Sequence, residues 1–313
     1  MKSQLQIKDG SLVPAPAAFD VVVYSVPTQE ERQDAIRIWN LDRYDVDSAL
    51  DPDEIPRIEY APGRVALIWK RPKNVAVDDQ LRFDVASMGF FLEQGKLIII
   101  TDEQAVPLSA KEFTGASSVF DVLFRYLLHT VHHYLGHLRV IKQITVELSS
   151  KIGASMENKY FLQMFALSES LVYYLNAIEA NGAVLAKLKA NAERLDLPAK
   201  QVQFLHDLIL DNQQCARQAQ IHSSVLAGLM DARGTIINNN VNVLLKNLTL
   251  INVVFLPLTL IASIGGMSEF TMMTKDIDWR VSYSLLTLVM VLLGWATWAV
   301  LVRVLDKRQT RQQ

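Results

Sequence analysis

The chain has 313 residues, half of them hydrophobic, and its 31 basic and 33 acidic side chains give a formal net charge of −2. Neither end carries a basic, aromatic-rich patch, which argues against a nucleic-acid-binding protein. The single cysteine, Cys215, excludes an internal disulfide and a metal site built from several cysteines. A glycine-rich phosphate loop and a nucleophile with an orienting acid are both missing from the sequence, so it does not indicate an enzyme.

Residues 1–115 combine strand and helix signals. Two β-branched, apolar segments bounded by prolines, residues 18–26 and 64–70, are typical of buried strands. Residues 89–101 place two apolar runs around a glycine-containing turn, which predicts a hairpin. Between the first two strands, Thr28 and Glu31 have the spacing of a capping box at the start of a helix. These signals predict an α/β domain.

From residue 116 onward the pattern is helical. Helices are predicted at 117–151 and 156–191, so that residues 116–197 form a helical hairpin. Pro198 suits the first turn of a third helix, and we expect that helix to continue without a break to about Ile264. At 1.5 Å per residue it would be roughly 100 Å long. We therefore assign residues 198–267 to one long stalk helix that continues into a membrane span.

One face of this stalk helix has apolar residues interrupted by small and polar ones. A seam of this mixed composition predicts helices arranged around a central, water-filled axis rather than a dry dimer. Its members recur at three- and four-residue steps: Leu205, Ile209, Asn212, Ala216, Ala219, Ser223, Leu226, Met230, Arg233, Ile237, Asn240 and Leu244.

Two segments are long and apolar enough to cross a bilayer. No charged residue lies between Lys246 and Glu269 or between Arg280 and Arg303, whereas roughly 20 apolar residues are enough to span the hydrocarbon. The alternative is a pair of buried core helices. We assign 268–280 to an external loop, 281–302 to the second transmembrane helix and 303–313 to a basic cytoplasmic tail.

The charges that flank the two spans predict their orientation. The tail contains four basic residues and one acid, while the loop between the spans contains three acids and two bases. Because basic residues are retained on the cytoplasmic side, both termini should be cytoplasmic. The first ten residues have no apolar signal-peptide core, which agrees with a cytoplasmic N-terminal domain. We expect a multi-pass protein of the plasma (inner) membrane.

Polar side chains recur along one stripe of the first span. Such side chains usually face a bundle interior or a water-filled path, because lipid leaves their hydrogen bonds unmade. The alternative is that they join neighbouring helices. Two spans cannot enclose a pore, so a pore would require several copies of the chain. Amide and hydroxyl rings would suit a cation that keeps its water. The stripe comprises Asn242, Leu245, Thr249, Asn252, Leu256, Thr259 and Ser263.

Four of the six histidines are clustered at His129, His132, His133 and His137. On a helix, His129, His133 and His137 would lie on one face at successive turns. Histidines four residues apart are a known zinc-binding arrangement. The alternative is a polar, solvated helix face, and the sequence alone does not decide between the two.

Three stretches resemble the CorA family of divalent-cation channels, the two-transmembrane GxN transporters. They are DPDEIPRIEY at 51–60, FALSESLVYYLNAIEANGAVLAKL at 165–188, and the segment at 226–267 that includes VFLPLTLIASIGGM. The resemblance covers nearly the whole chain. It implies an α+β cytoplasmic domain followed by long stalk helices and two transmembrane helices, assembled as a homopentameric funnel in which the first span lines the pore.

The resemblance also implies roles for the residues that end the first span. The family has Gly-Met-Asn there, with a ring of asparagines at the outer mouth that holds a hydrated cation. This chain has Gly266, Met267 and Ser268, followed by Glu269. A serine hydroxyl is shorter than the amide, and five copies of Glu269 would concentrate negative charge beside it. We expect these four residues to form the selectivity site.

Further roles follow from the same resemblance. Leu245, Leu248 and Leu256 fall where the family has an apolar gate, Asn242 at the cytoplasmic polar ring and Thr259 at an inner pore hydroxyl. Asp207 and Asp231 match stalk carboxylates. Asp207 would share a regulatory divalent-cation site with an acid of a neighbouring subunit, for which the candidates are Asp78, Asp79 and Asp84.

Together these inferences predict a channel or transporter for divalent metal cations, with Mg2+ first and Zn2+ or Co2+ next. It would need no cofactor, since the cations are its substrate and a possible regulatory ligand. Its partners would be further copies of itself and membrane lipid. The alternative is a non-conducting CorA-like scaffold or metal sensor that lost transport with the asparagine.

Overall fold

The computed structural model describes residues 1–15, 17–73, 81–104, 113–154 and 158–309. The chain divides into two compact units, Met1–Met230 and Asp231–Gln313. Asp78 and Asp79, two of the candidate regulatory acids, lie outside the described residues.

The first unit contains a seven-stranded sheet with the strand order β2-β1-β3-β7-β6-β5-β4. β3 and β7 are parallel, and every other neighbouring pair is antiparallel. The three predicted strand regions are confirmed, while β1, β2 and β4 were not predicted. The strands are β1 (Lys2–Lys8), β2 (Ser11–Pro14), β3 (Val21–Ser25), β4 (Arg57–Ala61), β5 (Arg64–Pro72), β6 (Val85–Glu93) and β7 (Lys96–Thr101).

Two short helices cover one face of this sheet. They are α1 (Gln29–Trp39) and α2 (Arg43–Ser48). The predicted capping box is confirmed: the Thr28 hydroxyl accepts from the Glu31 backbone N–H at 3.2 Å, and the Glu31 carboxylate accepts from the Thr28 N–H at 3.0 Å. A compact core of twelve buried residues, including Trp39 and Phe91, lies beneath them.

Two long helices cover the opposite face, and a third joins them in the same core. They are α3 (Val119–Ala154), α4 (Asn158–Ala190) and α5 (Ala199–Gly265). Their apolar residues join Trp69 and Phe90 of the sheet in the larger of the two cores. The helix α5 is continuous as predicted, because neither Gly228 nor Gly234 interrupts it and Pro257 is accommodated inside it.

An asparagine of α4 connects this helix to the sheet. β4 pairs with β5 only as far as Arg57 and Ile68, which leaves the Lys70 backbone beyond the end of the neighbouring strand. The Asn181 side chain accepts from the Lys70 N–H at 3.0 Å and donates to the Lys70 carbonyl at 2.8 Å. One buried amide therefore replaces a missing strand residue.

The predicted seam of α5 is wrong for its first half. Leu205, Asn212, Ala219 and Leu226 are buried in the core of their own chain rather than turned toward an axis between copies. The polar member Asn212 is satisfied internally, because its Nδ2 donates to the Ile178 carbonyl at 2.9 Å. Small residues in this seam allow close packing of helices within one protomer.

The second unit contains the rest of α5, the short helix α6 (Ser268–Met273) and α7 (Trp279–Gln309). Within the described residues, two helices are long and apolar enough to cross a membrane. α6 lies in the segment that we assigned to an external loop and is about one and a half turns long. α7 begins at Trp279 rather than 281, since the Asp278 carboxylate caps it by accepting from the Arg280 N–H at 2.8 Å.

Candidate pore and metal sites

The polar stripe of the first span lies on the face of α5 that is turned away from α7. α7 contacts α5 through Leu258 and Gly265: Leu258 lies against Gly294, and the Gly265 carbonyl accepts from the Tyr283 hydroxyl at 3.1 Å. At 3.6 residues per turn, this contact face and the stripe are roughly half a turn apart. The stripe is exposed throughout: Asn242, Leu245, Thr249, Asn252, Leu256, Thr259 and Ser263.

The hydroxyl groups of the stripe are oriented by their own helix. Thr249 donates to the Leu245 carbonyl, Thr259 to the Phe255 carbonyl and Ser263 to the Thr259 carbonyl, each at 2.8 Å. Because each proton is committed to the backbone, the oxygen can offer only its lone pairs to a group outside the helix. Such oxygens suit the water around a cation, whose hydrogen atoms point outward.

Helix packing at the end of the first span accounts for one of the two glycines there. Gly265 is buried, and a side chain there would overlap Leu286 of α7. Gly266 has no such neighbour, since a Cβ there would lie 3.6 Å from the nearest atoms. Gly265 therefore serves the packing of the two helices. Small residues at a helix contact are the sequence signal for this packing.

The residues of the predicted outer mouth are exposed in the single chain, and their role stays a prediction. Met267 precedes α6 with extended backbone angles (φ −81°, ψ 149°), and Ser268 and Glu269 occupy its first turn. The Ser268 hydroxyl donates to the Glu269 carboxylate at 3.2 Å. The two side chains therefore form one hydrogen-bonded pair. The apolar gate predicted at Leu245, Leu248 and Leu256 is likewise exposed in the single chain, and its role stays a prediction.

The histidine cluster lies on α3 with three of its rings in a row. The centroid of the His133 ring is 6.3 Å from that of His129 and 4.5 Å from that of His137. The row ends at Tyr174, whose hydroxyl is 2.6 Å from His137 Nδ1. His132 is exposed, whereas the other three are partly buried. Within the described part of the chain, no three His, Cys, Asp or Glu residues are arranged to hold a metal ion.

Burial controls the charge of this row. It lowers the pKa of His133 to about 4, and the nearby His137, His129 and Arg71 act in the same direction. Burial also lowers the pKa of His137. His133 is therefore neutral at pH 7, which is the form that binds metals. Within the described residues, a pair of histidines is therefore the most that this row could offer to a metal ion.

The candidate regulatory acids lie in separate places. Asp207 lines a cavity of about 400 Å³ together with Asp121, Arg125 and Lys200. Asp84 lines a different hollow of about 280 Å³, where Asp53 and Glu169 are accompanied by Lys73 and Arg82. Asp231 is exposed on α5 at the start of the second unit. The described residues of one protomer do not bring these acids together, and their metal-binding role stays a prediction.

Known proteins with the same architecture were found by comparison. The cobalt/magnesium transport protein CorA of Methanocaldococcus jannaschii is 23% identical over 251 residues, which cover 77% of each chain. The complete structure of the CorA magnesium transporter from the same organism superposes with a TM-score of 0.78 at 20% identity and 96% coverage of both chains. The cytoplasmic domain of ZntB from Vibrio parahaemolyticus gives a TM-score of 0.58 at 13% identity, covering 76% of this chain and 98% of that domain.

These likenesses confirm the fold: an α+β domain, long helices and two helices that can span a membrane. A family described as "CorA-like Mg2+ transporter protein" matches residues 17–308, which is nearly the whole chain. The members of that family are membrane ion transporters rather than enzymes. The chain therefore belongs to the CorA family.

Proposed function

We propose that this protein is a homopentameric channel for divalent cations, with Mg2+ as the first candidate and Zn2+ or Co2+ next. It lies in the plasma (inner) membrane with both termini in the cytoplasm. The cations pass largely hydrated along the stripe of α5, enter past Ser268 and Glu269, and require no cofactor. Leu245, Leu248 and Leu256 form the gate.

The observation that carries this proposal is the position of the stripe. Its amides and hydroxyls face away from α7, so the chain's own second span leaves them uncovered. Exposed to lipid, the Asn252 amide would leave its hydrogen bonds unmade. Further copies of α5 around a water-filled axis remove that cost, and the hydroxyl oxygens then face the hydration shell of a cation.

The test is ion flux into liposomes that contain the purified full-length protein, comparing Mg2+, Zn2+, Co2+ and Ni2+. Asn252→Leu should lower the flux at least roughly tenfold, because it places an apolar ring where hydrated ions pass. Leu248→Asn should raise the basal flux, because a polar ring keeps the gate wet. Asn247→Leu is the matched control, since Asn247 lies on the opposite side of the same helix.

Equal loss of flux in Asn252→Leu and Asn247→Leu would show that the stripe is not the ion path. A detergent-corrected mass of a monomer or dimer would contradict the pore itself. A correctly assembled parent protein that conducts none of the four ions would favour the non-conducting scaffold.

A further inference from the structure

A shallow hollow of about 560 Å³ lies along one flank of α7, at the end nearest α6. Its residues change in character along the helix, from mainly charged and polar in the first two turns to mainly apolar beyond them. This order is that of a surface which begins at a membrane interface and continues into hydrocarbon. The hollow is lined by Trp279, Arg280, Tyr283, Ser284, Thr287, Leu288 and Val291.

Three hydrogen-bond donors of the hollow, on Trp279, Arg280 and Ser284, have no hydrogen-bond partner in the described part of the chain. The Arg280 guanidinium lies over the Trp279 ring, 5.5 Å from its centroid, and makes no ion pair there. The Ser284 hydroxyl, one turn further along, is also unpaired. By contrast, Thr287 donates to the Tyr283 carbonyl at 2.8 Å and Tyr283 donates to Gly265. The available donors are therefore confined to the polar end of the hollow.

A guanidinium without a hydrogen-bond partner at the end of a membrane span can bind an anion at the level of the lipid headgroups. Tryptophan and arginine at such positions lie at the interface between lipid and water. A phosphate there would accept charge-assisted hydrogen bonds from Arg280 and a further bond from Ser284.

We propose that this hollow is a binding site for an anionic glycerophospholipid. The phosphate lies between Arg280 and Ser284, and one acyl chain lies on Leu288 and Val291. The match in charge at one end and in apolar surface at the other identifies the occupant as a lipid rather than a free phosphate ion, which would leave the apolar end uncovered.

Asp278 provides an independent test, because its negative charge opposes the binding of an anionic lipid. Its carboxylate caps α7 through the Arg280 backbone N–H, which places a negative charge beside the phosphate position. Asn caps a helix about as well as Asp but carries no charge. Asp278→Asn should therefore strengthen the binding of an anionic lipid while it leaves the helix intact.

The experiment is native mass spectrometry of the full-length protein in detergent, with phosphatidylglycerol or phosphatidylcholine of identical acyl chains added. The parent should retain phosphatidylglycerol over phosphatidylcholine. Arg280→Gln should weaken phosphatidylglycerol retention roughly tenfold, because it removes the charge-assisted bonds. Asp278→Asn should increase it. Lys275→Gln is the control, since it removes a positive charge from the same loop outside the hollow and should leave retention unchanged.

Equal retention in Arg280→Gln and the parent, or equal loss in Lys275→Gln, would overturn the site. A second measurement tests whether another copy of the chain fills the hollow instead. A spin label on Val291→Cys, at the apolar end of the hollow and with the native Cys215 buried, should collide with oxygen dissolved in the lipid phase. A label shielded from the lipid in the assembled protein would contradict the proposal.

Discussion

Gly265 and Leu286 lie so close together that a methyl group on the glycine would overlap the leucine Cδ2. We predict that Gly265→Ala lowers the free energy of unfolding of the detergent-solubilised protein by about 1 kcal/mol, which a thermal melt would show as a lower unfolding temperature. This value is at the low end of overpacking costs, because the leucine side chain can rotate away. Gly266→Ala is the matched control: its Cβ would meet only atoms at 3.6 Å, so stability should change little. The reverse order of the two effects would contradict this helix contact.

The amide of Asn181 gives a second prediction about stability. It is 1% exposed and satisfies both backbone groups of Lys70, so Asn181→Ala leaves a buried donor and a buried acceptor unpaired. We expect a loss of about 2 to 4 kcal/mol in the free energy of unfolding, measured by denaturant titration. Asn191→Ala, which removes only one exposed bond to the Lys187 carbonyl, should cost less than about 1 kcal/mol. Equal losses would show that the strand-like pairing of Asn181 is not important.

The sequence predicts the central strands and the helices because their apolar residues recur at clear intervals. β1 and β4 have partly buried, mixed sequences such as KSQLQIK, and their pairing depends on neighbours distant in the chain. The role of Asn181 cannot be recognised from the sequence for the same reason, since the Lys70 backbone that it binds is 111 residues away. The seam through Leu205 and Asn212 has the correct period, but periodicity does not specify whether the facing helix belongs to the same chain.

The histidine row gives a pH dependence. A histidine titrates near 6.5 in the unfolded chain, whereas burial lowers the pKa of His133 to about 4 in the folded one. Between these values the unfolded state binds more protons, so the free energy of unfolding should fall as pH decreases from 6.5 to 4, by up to about 3 kcal/mol. Above pH 6.5 this residue has no effect. His133→Gln should flatten the slope of stability against pH, and an unchanged slope would assign it to other groups.

The same row offers a test of metal binding. If His129 and His133 bind Zn2+ as a pair, Zn2+ should raise the unfolding temperature of the full-length protein and Mg2+ should not, because imidazole prefers zinc. Binding to the folded state alone adds stability logarithmically with free metal. The difference between the metals should disappear in the double variant His129→Ala, His133→Ala. It should remain in His206→Ala, whose ring lies beside Lys189 on another helix pair.

The proposed outer mouth gives a last prediction, about the hydrogen-bonded pair Ser268 and Glu269. The serine hydroxyl donates to the carboxylate beside it, so five copies would form a ring of acids held by hydroxyls. Such a ring raises the local concentration of divalent cations, an effect that salt screens over roughly 8 to 10 Å. We predict that Glu269→Gln lowers divalent-cation flux into liposomes several-fold at low ionic strength and less at high ionic strength.

Ser268→Asn restores an amide ring and should shift the preference toward Mg2+. Asp276→Gln, which removes an acid from the same loop outside this pair, serves as the control. If all three variants carry the same ions at the rate of the parent, selectivity resides deeper in the span, at Asn252 and Thr259.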